Sequence, residues 1–262
     1  MLDIVIATRF HKRITSGRTK PSLLTCIDDN YNDIEVIAKF SGGCDRGVDS
    51  LITESISALL AADLGLPVPK PYLIEIDHGF IDIIPDSEIQ LQMRESSLIG
   101  FGSCKLPQGY YNWGTSQDTP SDLNLAAEII AYDGLIQNPD RRPENTNCLT
   151  NGKKLAIFDH DLAFVTEGIL FWKPPWEHGG LDNLICTQNH IFYDQLKRKS
   201  FDLERFRDAW VSIDDARLQE YENSIPTEWL NNSHTTTRII SYIRNVRENI
   251  DDSLTEVSRL LS

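Results

Sequence analysis

The feature that most constrains this chain is a polar loop, Asn138–Leu149, which is followed by a short apolar strand and an acid. The loop reads NPDRRPENTNCL, with Asp140 five residues before Asn145, and Asp159 follows the apolar stretch Lys154–Phe158. Asp140 is suited to take a hydroxyl proton, Asn145 to bind a metal ion, and Asp159 to bridge a metal ion and nucleotide phosphates. This order of groups predicts metal-assisted phosphoryl transfer.

The order of the surrounding segments strengthens this interpretation. Asp and Asn five residues apart occur by chance in many loops, and Asn-Pro-Asp is an ordinary turn sequence. Here an amphipathic helix precedes the loop, and Asn151-Gly152 predicts a hairpin turn before the strand that ends at the acid. Catalysis is therefore predicted for Asp140, Asn145 and Asp159 together, while a surface turn stays open for any one of them alone.

Composition limits the partners that this chain can have. Its 262 residues suit one large domain or two lobes that share a cleft, and 40% hydrophobic residues suffice for a sizeable core. The net charge of −14 excludes nucleic acid as the main partner and disfavours an anionic membrane surface.

The five cysteines predict reduced thiols in a cytoplasmic protein. They are scattered and form no CxxC pair, so neither a zinc site nor a disulfide framework is indicated. No secretory signal and no apolar run long enough to span a membrane are seen in the sequence.

The N-terminal part predicts a sheet with one helix. Strands are predicted at Leu2–Ala7, Pro21–Ile27, Ile34–Phe40, Tyr72–Ile76, Phe80–Ile84 and Ser97–Leu106. A helix capped by Asp49 is predicted to run to about Leu64. Lys39 near a strand end is expected to neutralise nucleotide phosphates, and Glu54 on the helix to pair with it. The alternative is that both side chains face solvent.

Two further segments are candidates for nucleotide contact. Thr15–Pro21 is a small, polar and basic loop, and its Ser16, Gly17 and Arg18 are expected to wrap phosphates through backbone N–H groups and a cation. An exposed hairpin loop is the other interpretation. The strand that leaves this lobe carries Phe101 and Ser103, which are expected to lie against the nucleotide base.

The C-terminal part predicts helices. One helix begins at Thr119 and carries Asp133, which is expected to orient the catalytic loop or to be a plain surface acid. Later helices are predicted at Asp202–Val211, at Asp214–Asn223 after a cap at Ser212, and as one long helix at Thr235–Leu261. The expected division is a nucleotide-binding lobe, 1–106, and a catalytic helical lobe, 107–262.

Taken together, these motifs resemble the HipA-like kinases, and among them the small single-chain branch without the larger toxin's additional N-terminal segment. The resemblance extends from about Thr15 to Phe171. The matching motifs are Lys39, Glu54, Leu64–Pro69, the segment Asn138–Arg141 with Asn145–Leu149, and Phe158–His160.

The resemblance implies an α+β, two-lobed protein-kinase-like fold, with an N-terminal antiparallel sheet and one helix and a mostly helical C-terminal lobe. It implies ATP and Mg²⁺ as cofactors and transfer of the γ-phosphoryl group to a Ser/Thr hydroxyl of a protein substrate. By motif, Lys39 binds phosphates, Asp140 is the base, and Asn145 and Asp159 hold magnesium. Ser16 is the candidate autophosphorylation site, and an antitoxin-like or regulatory protein is an expected partner.

This chain also departs from the family pattern. Arg142 stands where the larger toxins have His, Asp-His-Asp replaces Asp-Phe-Gly, and Asn147 competes with Asn145 for the metal. The alternatives to a protein kinase are a kinase of a small molecule or lipid, and a nucleotide-binding pseudokinase that acts as an interaction module.

Overall fold

The N-terminal half of the chain is built around a closed five-stranded barrel. The structure is a computed structural model that describes residues 2–15, 19–114, 119–230 and 234–262. The strands follow the order β1-β2-β3-β5-β4 around the barrel. They are β1 (Asp3–Arg13), β2 (Ser22–Ile27), β3 (Asp33–Lys39), β4 (Pro71–Glu75) and β5 (Ile99–Cys104).

The predicted α+β fold is confirmed, and the pairing of the strands adds one feature. Neighbours are antiparallel except β1 and β4, which pair in parallel from Asp3 opposite Tyr72 and close the sheet on itself. Among the described residues, closure leaves the barrel without an edge strand for pairing with another chain. Side chains that point into the barrel, such as Val5, Leu24 and Val36, form a hydrophobic core of their own.

One helix of the N-terminal half is buried on all sides. Helix α1 (Val48–Asp63) packs against β4 and β5 on one side and against helices of the C-terminal half on the other. Small residues such as Ser57 and Ala61 allow this close approach, and the Tyr132 hydroxyl donates to the Ser57 carbonyl oxygen at 2.7 Å. The helix therefore belongs to the core of the C-terminal half.

Two short helices, α2 (His78–Asp82) and α3 (Ser87–Arg94), connect β4 to β5. The strand predicted at Phe80–Ile84 is wrong, because Asp77 caps α2 by accepting a hydrogen bond from the Phe80 backbone N–H. The cap predicted at Asp49 is also wrong, since α1 starts after Gly47, whose φ of +55° suits a glycine.

The C-terminal half is mostly helical, as predicted. Its helices are α4 (Leu123–Leu135), α5 (Tyr193–Leu196), α6 (Glu204–Ser212), α7 (Asp215–Asn223), α8 (Thr235–Glu248) and α9 (Ile250–Leu261). Two predicted caps are replaced by acids that bond to the first turn: Asp122 caps α4 in place of Thr119, and Asp214 caps α7 in place of Ser212. No helix within the described ranges has the length and apolar character needed to cross a membrane.

The long C-terminal helix is interrupted. Asn249 separates α8 from α9, and its side-chain amide donates to the Asn245 carbonyl oxygen at 2.8 Å. An asparagine side chain competes in this way with the helix's own backbone hydrogen bonds. The single helix predicted at Thr235–Leu261 is therefore wrong, although its apolar residues keep the helical spacing throughout.

A small sheet carries the predicted hairpin. Strands β7 (Cys148–Thr150) and β8 (Leu155–Ile157) pair around Asn151–Lys154, and β6 (Tyr111–Asn112) pairs with β7 on the other side. The hairpin is confirmed, and it places the loop 138–147 and Asp159 at the same end of this sheet. Strand β6 lies between β5 and α4 in the chain, where the sequence analysis predicts no strand.

Candidate active site

A cavity of about 650 Å³ lies between the barrel and the small sheet. Its wall contains six of the predicted site residues: Lys39, Glu54, Phe101, Ser103, Asn145 and Asp159. Apolar side chains such as Ile37 and Leu149 line the cavity together with the charged Lys39, Glu54 and Asp159. The predicted Ser16, Gly17 and Arg18 lie outside the described residues.

Three acids surround Lys39. The Lys39 ammonium contacts Asp159 Oδ1 directly and lies 3.5 Å from Glu54 Oε2 and 3.7 Å from Asp161 Oδ2. Burial alone would lower the pKa of Lys39, but the charges of Asp159, Glu54 and Asp161 outweigh burial and raise it well above its ordinary value. The lysine is therefore a fixed cation, and the predicted pairing with Glu54 is present.

The pKa values of Asp161 and Glu54 are shifted in opposite directions by their surroundings. Burial raises the pKa of Asp161 to about 7, and the neighbouring Asp159 and Glu54 add to that effect against the attraction of Lys39. Burial also opposes ionisation of Glu54, but the charge of Lys39 and the proximity of His160, whose backbone N–H donates to Glu54, bring its pKa down to about 2. Glu54 is thus the permanent anion of the cluster, whereas Asp161 titrates near neutrality.

This cluster has a donor set that suits magnesium. One carboxylate oxygen from each of Glu54, Asp159 and Asp161 lies within 4.8 Å of the others. Mg²⁺ prefers hard oxygen ligands and is usually bound through one or two carboxylates together with substrate phosphates. The residues present therefore fit the ion, with Asp159 the most exposed of the three acids.

The backbone holds two site residues in an uncommon conformation. Asp159 has a φ of +62° and Asn147 a φ of +40°, in the left-handed region that L-residues seldom adopt. Such conformations persist only where the surrounding structure enforces them, and they concentrate at functional sites. Here the conformation turns the chain directly after β8 and directly before β7.

Asp140 is held by a ring of donors. Its Oδ2 accepts hydrogen bonds from Asn145 Nδ2 at 2.6 Å and from Asn147 Nδ2 at 3.0 Å. Its Oδ1 lies 3.2 Å from Arg142 Nη2. Both asparagines line the cavity, so the geometry brings both to the position that was predicted for Asn145.

A fully buried arginine supports this loop. Arg141 forms two hydrogen bonds with Asp133, at 2.6 and 3.1 Å, and also donates to the carbonyl oxygens of Asn147 and Phe158. Asp133 in turn contacts Asn138 Nδ2 at 2.7 Å, so it supports the loop 138–147 and is buried, not a plain surface acid. Coulombic attraction to Arg141 and hydrogen bonds from Arg141 and His190 outweigh burial and keep the pKa of Asp133 well below its usual range.

Sequence reasoning missed three functional neighbours: Arg141, His160 and Asp161. Asp161 had a signal, because an acid two residues after Asp159 at the end of a short strand can reach the same ion. Arg141 and His160 stand within the motifs Asn138–Arg141 and Phe158–His160, but the sequence did not indicate their partners, which other segments of the chain supply.

Comparison with known proteins places this geometry in context. The family model described as HipA-like kinase matches residues 7–258. Among solved structures, the chain is similar to the Helicobacter pylori proinflammatory kinase CtkA, with a TM-score of 0.51 and 14% identity over 96% of both chains. At such identity the likeness shows a shared kinase-like fold alone.

A weaker likeness is to the MAP kinase LmaMPK10 from Leishmania major, with a TM-score of 0.31 and 10% identity over 95% of this chain and 81% of that one. The comparison with curated proteins gives no match. Because the family model extends over nearly the whole chain, and the fold and the charged cleft agree with it, this protein belongs to the HipA-like kinase family.

Proposed function

We propose that this protein transfers the γ-phosphoryl group of ATP, with magnesium, to a Ser or Thr hydroxyl of a protein. The observation that carries the proposal is the convergence of Lys39, Asp159 and the Asp140 loop at one cavity. In the chain, Asp159 lies 120 positions after Lys39 and Asp140 lies 101 positions after it. The two expected lobes, 1–106 and 107–262, would enclose that cavity.

The shape and lining of the cavity support a nucleotide as the ligand. Its apolar part, with Phe101 and Trp113, suits a purine base, and its charged part suits a triphosphate. Ser103 would contact the base edge, and Ser16, Gly17 and Arg18 would cover the phosphates.

In the proposed mechanism the protein mainly positions groups and neutralises charge. Lys39 exchanges its contact with Asp159 for the nucleotide phosphates, while Glu54 keeps its ammonium in place. Asp159, with Asn145 or Asn147, would hold magnesium, which supplies charge neutralisation at the phosphates when bound. Asp161 and Glu54 complete the carboxylate set.

Asp140 acts on the acceptor. Its carboxylate takes the hydroxyl proton as the acceptor oxygen forms a bond to the γ-phosphorus, and the bond between that phosphorus and the β–γ bridging oxygen breaks to release ADP. The Asp140 side chain lies outside the cavity wall and is 14% exposed, beside the exposed Arg142.

The test is incubation of the purified chain with magnesium and ATP, followed by mass spectrometry of the intact protein and of its peptides. Asp140→Asn should abolish phosphate incorporation while nucleotide affinity stays within about twofold. Asp252→Asn, at an exposed position of α9, is the matched control and should behave like the parent. Phosphate on Ser16 would support autophosphorylation.

Three outcomes would contradict the proposal. Incorporation by the Asp140 variant at the parent's rate would remove Asp140 as the base. Transfer to inositide or aminoglycoside acceptors, with none to protein, would assign the same site to a small-molecule or lipid kinase. Nucleotide binding without any transfer would indicate a pseudokinase.

A further inference from the structure

We propose that His160 is a positioning residue that ties the catalytic loop to the Lys39–Glu54 pair, with a separate task for each ring nitrogen. This role rests on the proposed function and adds to it, because nothing in the family motif gives His160 a task. His160 occupies the middle of Asp159–Asp161 and is 1% exposed.

The first ring nitrogen faces the catalytic loop. His160 Nε2 lies 2.8 Å from Arg141 Nη2, and a guanidinium can only donate hydrogen bonds. The Nε2 atom must therefore accept, which places the imidazole proton on Nδ1. Arg141 cannot turn away, because Asp133 holds its Nε and its other terminal nitrogen is bound to backbone carbonyls.

The second ring nitrogen faces Glu54. Nδ1 is buried without a hydrogen-bond partner among the described residues, and it lies 3.9 Å from Glu54 Oε1. The backbone N–H of His160 already donates to the other oxygen, Oε2, at 2.6 Å. Both oxygens of Glu54 thus face His160, and a shift of roughly 1 Å would complete the second hydrogen bond.

The missing hydrogen bond between His160 Nδ1 and Glu54 has an energetic consequence. A buried N–H without a partner is costly, so the protein gains free energy when Glu54 moves toward Nδ1. Glu54 Oε2 also lies 3.5 Å from Lys39, which has its closest contact with Asp159. When phosphates replace Asp159 as the partner of Lys39, Glu54 Oε1 can move to accept a hydrogen bond from His160 Nδ1. Glu54 Oε2 then holds the lysine in place.

The competing explanation is that the ring only fills space. It packs edge-on against Tyr132, with ring centroids 5.6 Å apart, and a phenylalanine would do that equally well. Three substitutions separate the possibilities. Asparagine retains a donor near the Nδ1 position, glutamine retains an acceptor near the Nε2 position, and phenylalanine retains the ring alone.

The expected results differ for nucleotide binding and for turnover. His160→Gln keeps the Arg141 bond and loses the Glu54 donor, so nucleotide Kd should weaken about tenfold with a smaller change in kcat. His160→Asn should do the reverse, with a nearly unchanged Kd and a kcat about tenfold lower. His160→Phe should impair both.

Nucleotide Kd is measured by displacement of a fluorescent ATP analogue, which needs no turnover, and kcat is measured at saturating ATP. Thermal unfolding of each variant reports folding, and His78→Asn and His78→Gln at an exposed position of α2 are the controls. A parent-like His160→Phe, or Asn and Gln variants that weaken Kd and kcat in the same proportion, would overturn the role. If the parent transfers no phosphate, the proposed function fails, while the Kd difference between the Gln and Asn variants still decides the Glu54 contact.

Discussion

Asp161 shows how one residue can make the stability of this protein depend on pH. Burial raises the pKa of its carboxyl in the folded state to about 7, from an ordinary value of 3.8. Between these two values the folded protein binds more protons than the unfolded chain. The contribution of Asp161 to the free energy of unfolding is therefore largest at low pH and falls as pH rises to about 7.

The predicted outcome is that Asp161→Asn removes this slope. In magnesium-free buffer, the stability of the parent should fall relative to the variant between pH 5 and 8, by up to about 3 kcal/mol. The buried His190, whose pKa is lowered mainly by burial, acts in the opposite direction but is common to both proteins. Urea denaturation at each pH measures the difference, and parallel curves for the two proteins would contradict the assignment.

Arg141 is predicted to matter for stability as well as for the loop. Arg141→Met leaves Asp133 as a buried charge without its main partner, which costs about 3–5 kcal/mol. Arg142→Met, at the next position with a half-exposed side chain, should cost less than about 1 kcal/mol. Chemical denaturation of both variants provides the comparison, and equal losses would show that burial of the ion pair is not the cause.

The residues that carry chemistry were more predictable than the residues that hold them. Asp140, Asn145 and Asp159 stand in a readable order near turns and a strand end, and Asn145 and Asp159 line one cavity. Arg141 acts through Asp133, 8 positions away, and His160 through Glu54, 106 positions away, and no local pattern encodes such contacts. Their roles required the fold.

At the scale of elements, strand β5 shows why two glycines are needed in the barrel. A Cβ at Gly100 would lie 2.8 Å from the Lys39 carbonyl oxygen and 2.6 Å from the Phe40 ring, whereas one at Gly102 would meet the mobile end of Ile74 at 2.4 Å. These glycines allow β5 to lie close to its neighbours. Both residues lie within the strand.

The two positions are predicted to respond differently to alanine. Gly100→Ala forces a backbone atom of Lys39 to move, so it should lower stability by about 1–3 kcal/mol and weaken nucleotide binding. Gly102→Ala meets only a side chain that can change rotamer, so it should be milder and leave Kd unchanged. Thermal unfolding and ATP-analogue displacement test both, and a more severe effect of Gly102→Ala on Kd would refute the difference.

Helix caps and breaks were the least predictable elements. Asp122 and Asp214 cap helices for which the sequence predicted a different first residue. Asp77 caps a helix that the sequence did not predict. Several side chains near each start are able to cap, and tertiary packing decides which one is used. The hairpin β7–β8, fixed by its own turn sequence, needed no such choice.

At the scale of the whole molecule, α1 is fastened to the C-terminal half. Arg217 binds Asp63 at the end of α1 through both carboxylate oxygens, and Arg205 donates to the Leu64 carbonyl oxygen at 3.0 Å. Leu51, Ile56 and Leu60 share a hydrophobic core with α4 and α8, while the barrel interior forms a separate core. Glu54 and the barrel's Lys39 thus belong to different packed units.

Hydrogen exchange should reveal this division. Without nucleotide, the amides of α1 are predicted to be as protected as those of α4, and ATP with magnesium should increase protection mainly in the barrel strands. Asp63→Ala should lower the protection of α1 and leave that of β2 unchanged. A large gain of protection in α1 on nucleotide addition would show instead that this helix moves with the barrel.

The separation of the two cores has a thermodynamic consequence. Within the charged cluster around Lys39, the lysine is the one described residue that the barrel contributes, and all three of its acids come from the other unit. A triphosphate that binds this lysine while its metal is held by Asp159 would cross-link two packed units that we expect to unfold separately without it. Calorimetry should show two overlapping heat-absorption peaks without nucleotide, and these should merge into one when ATP and magnesium are added.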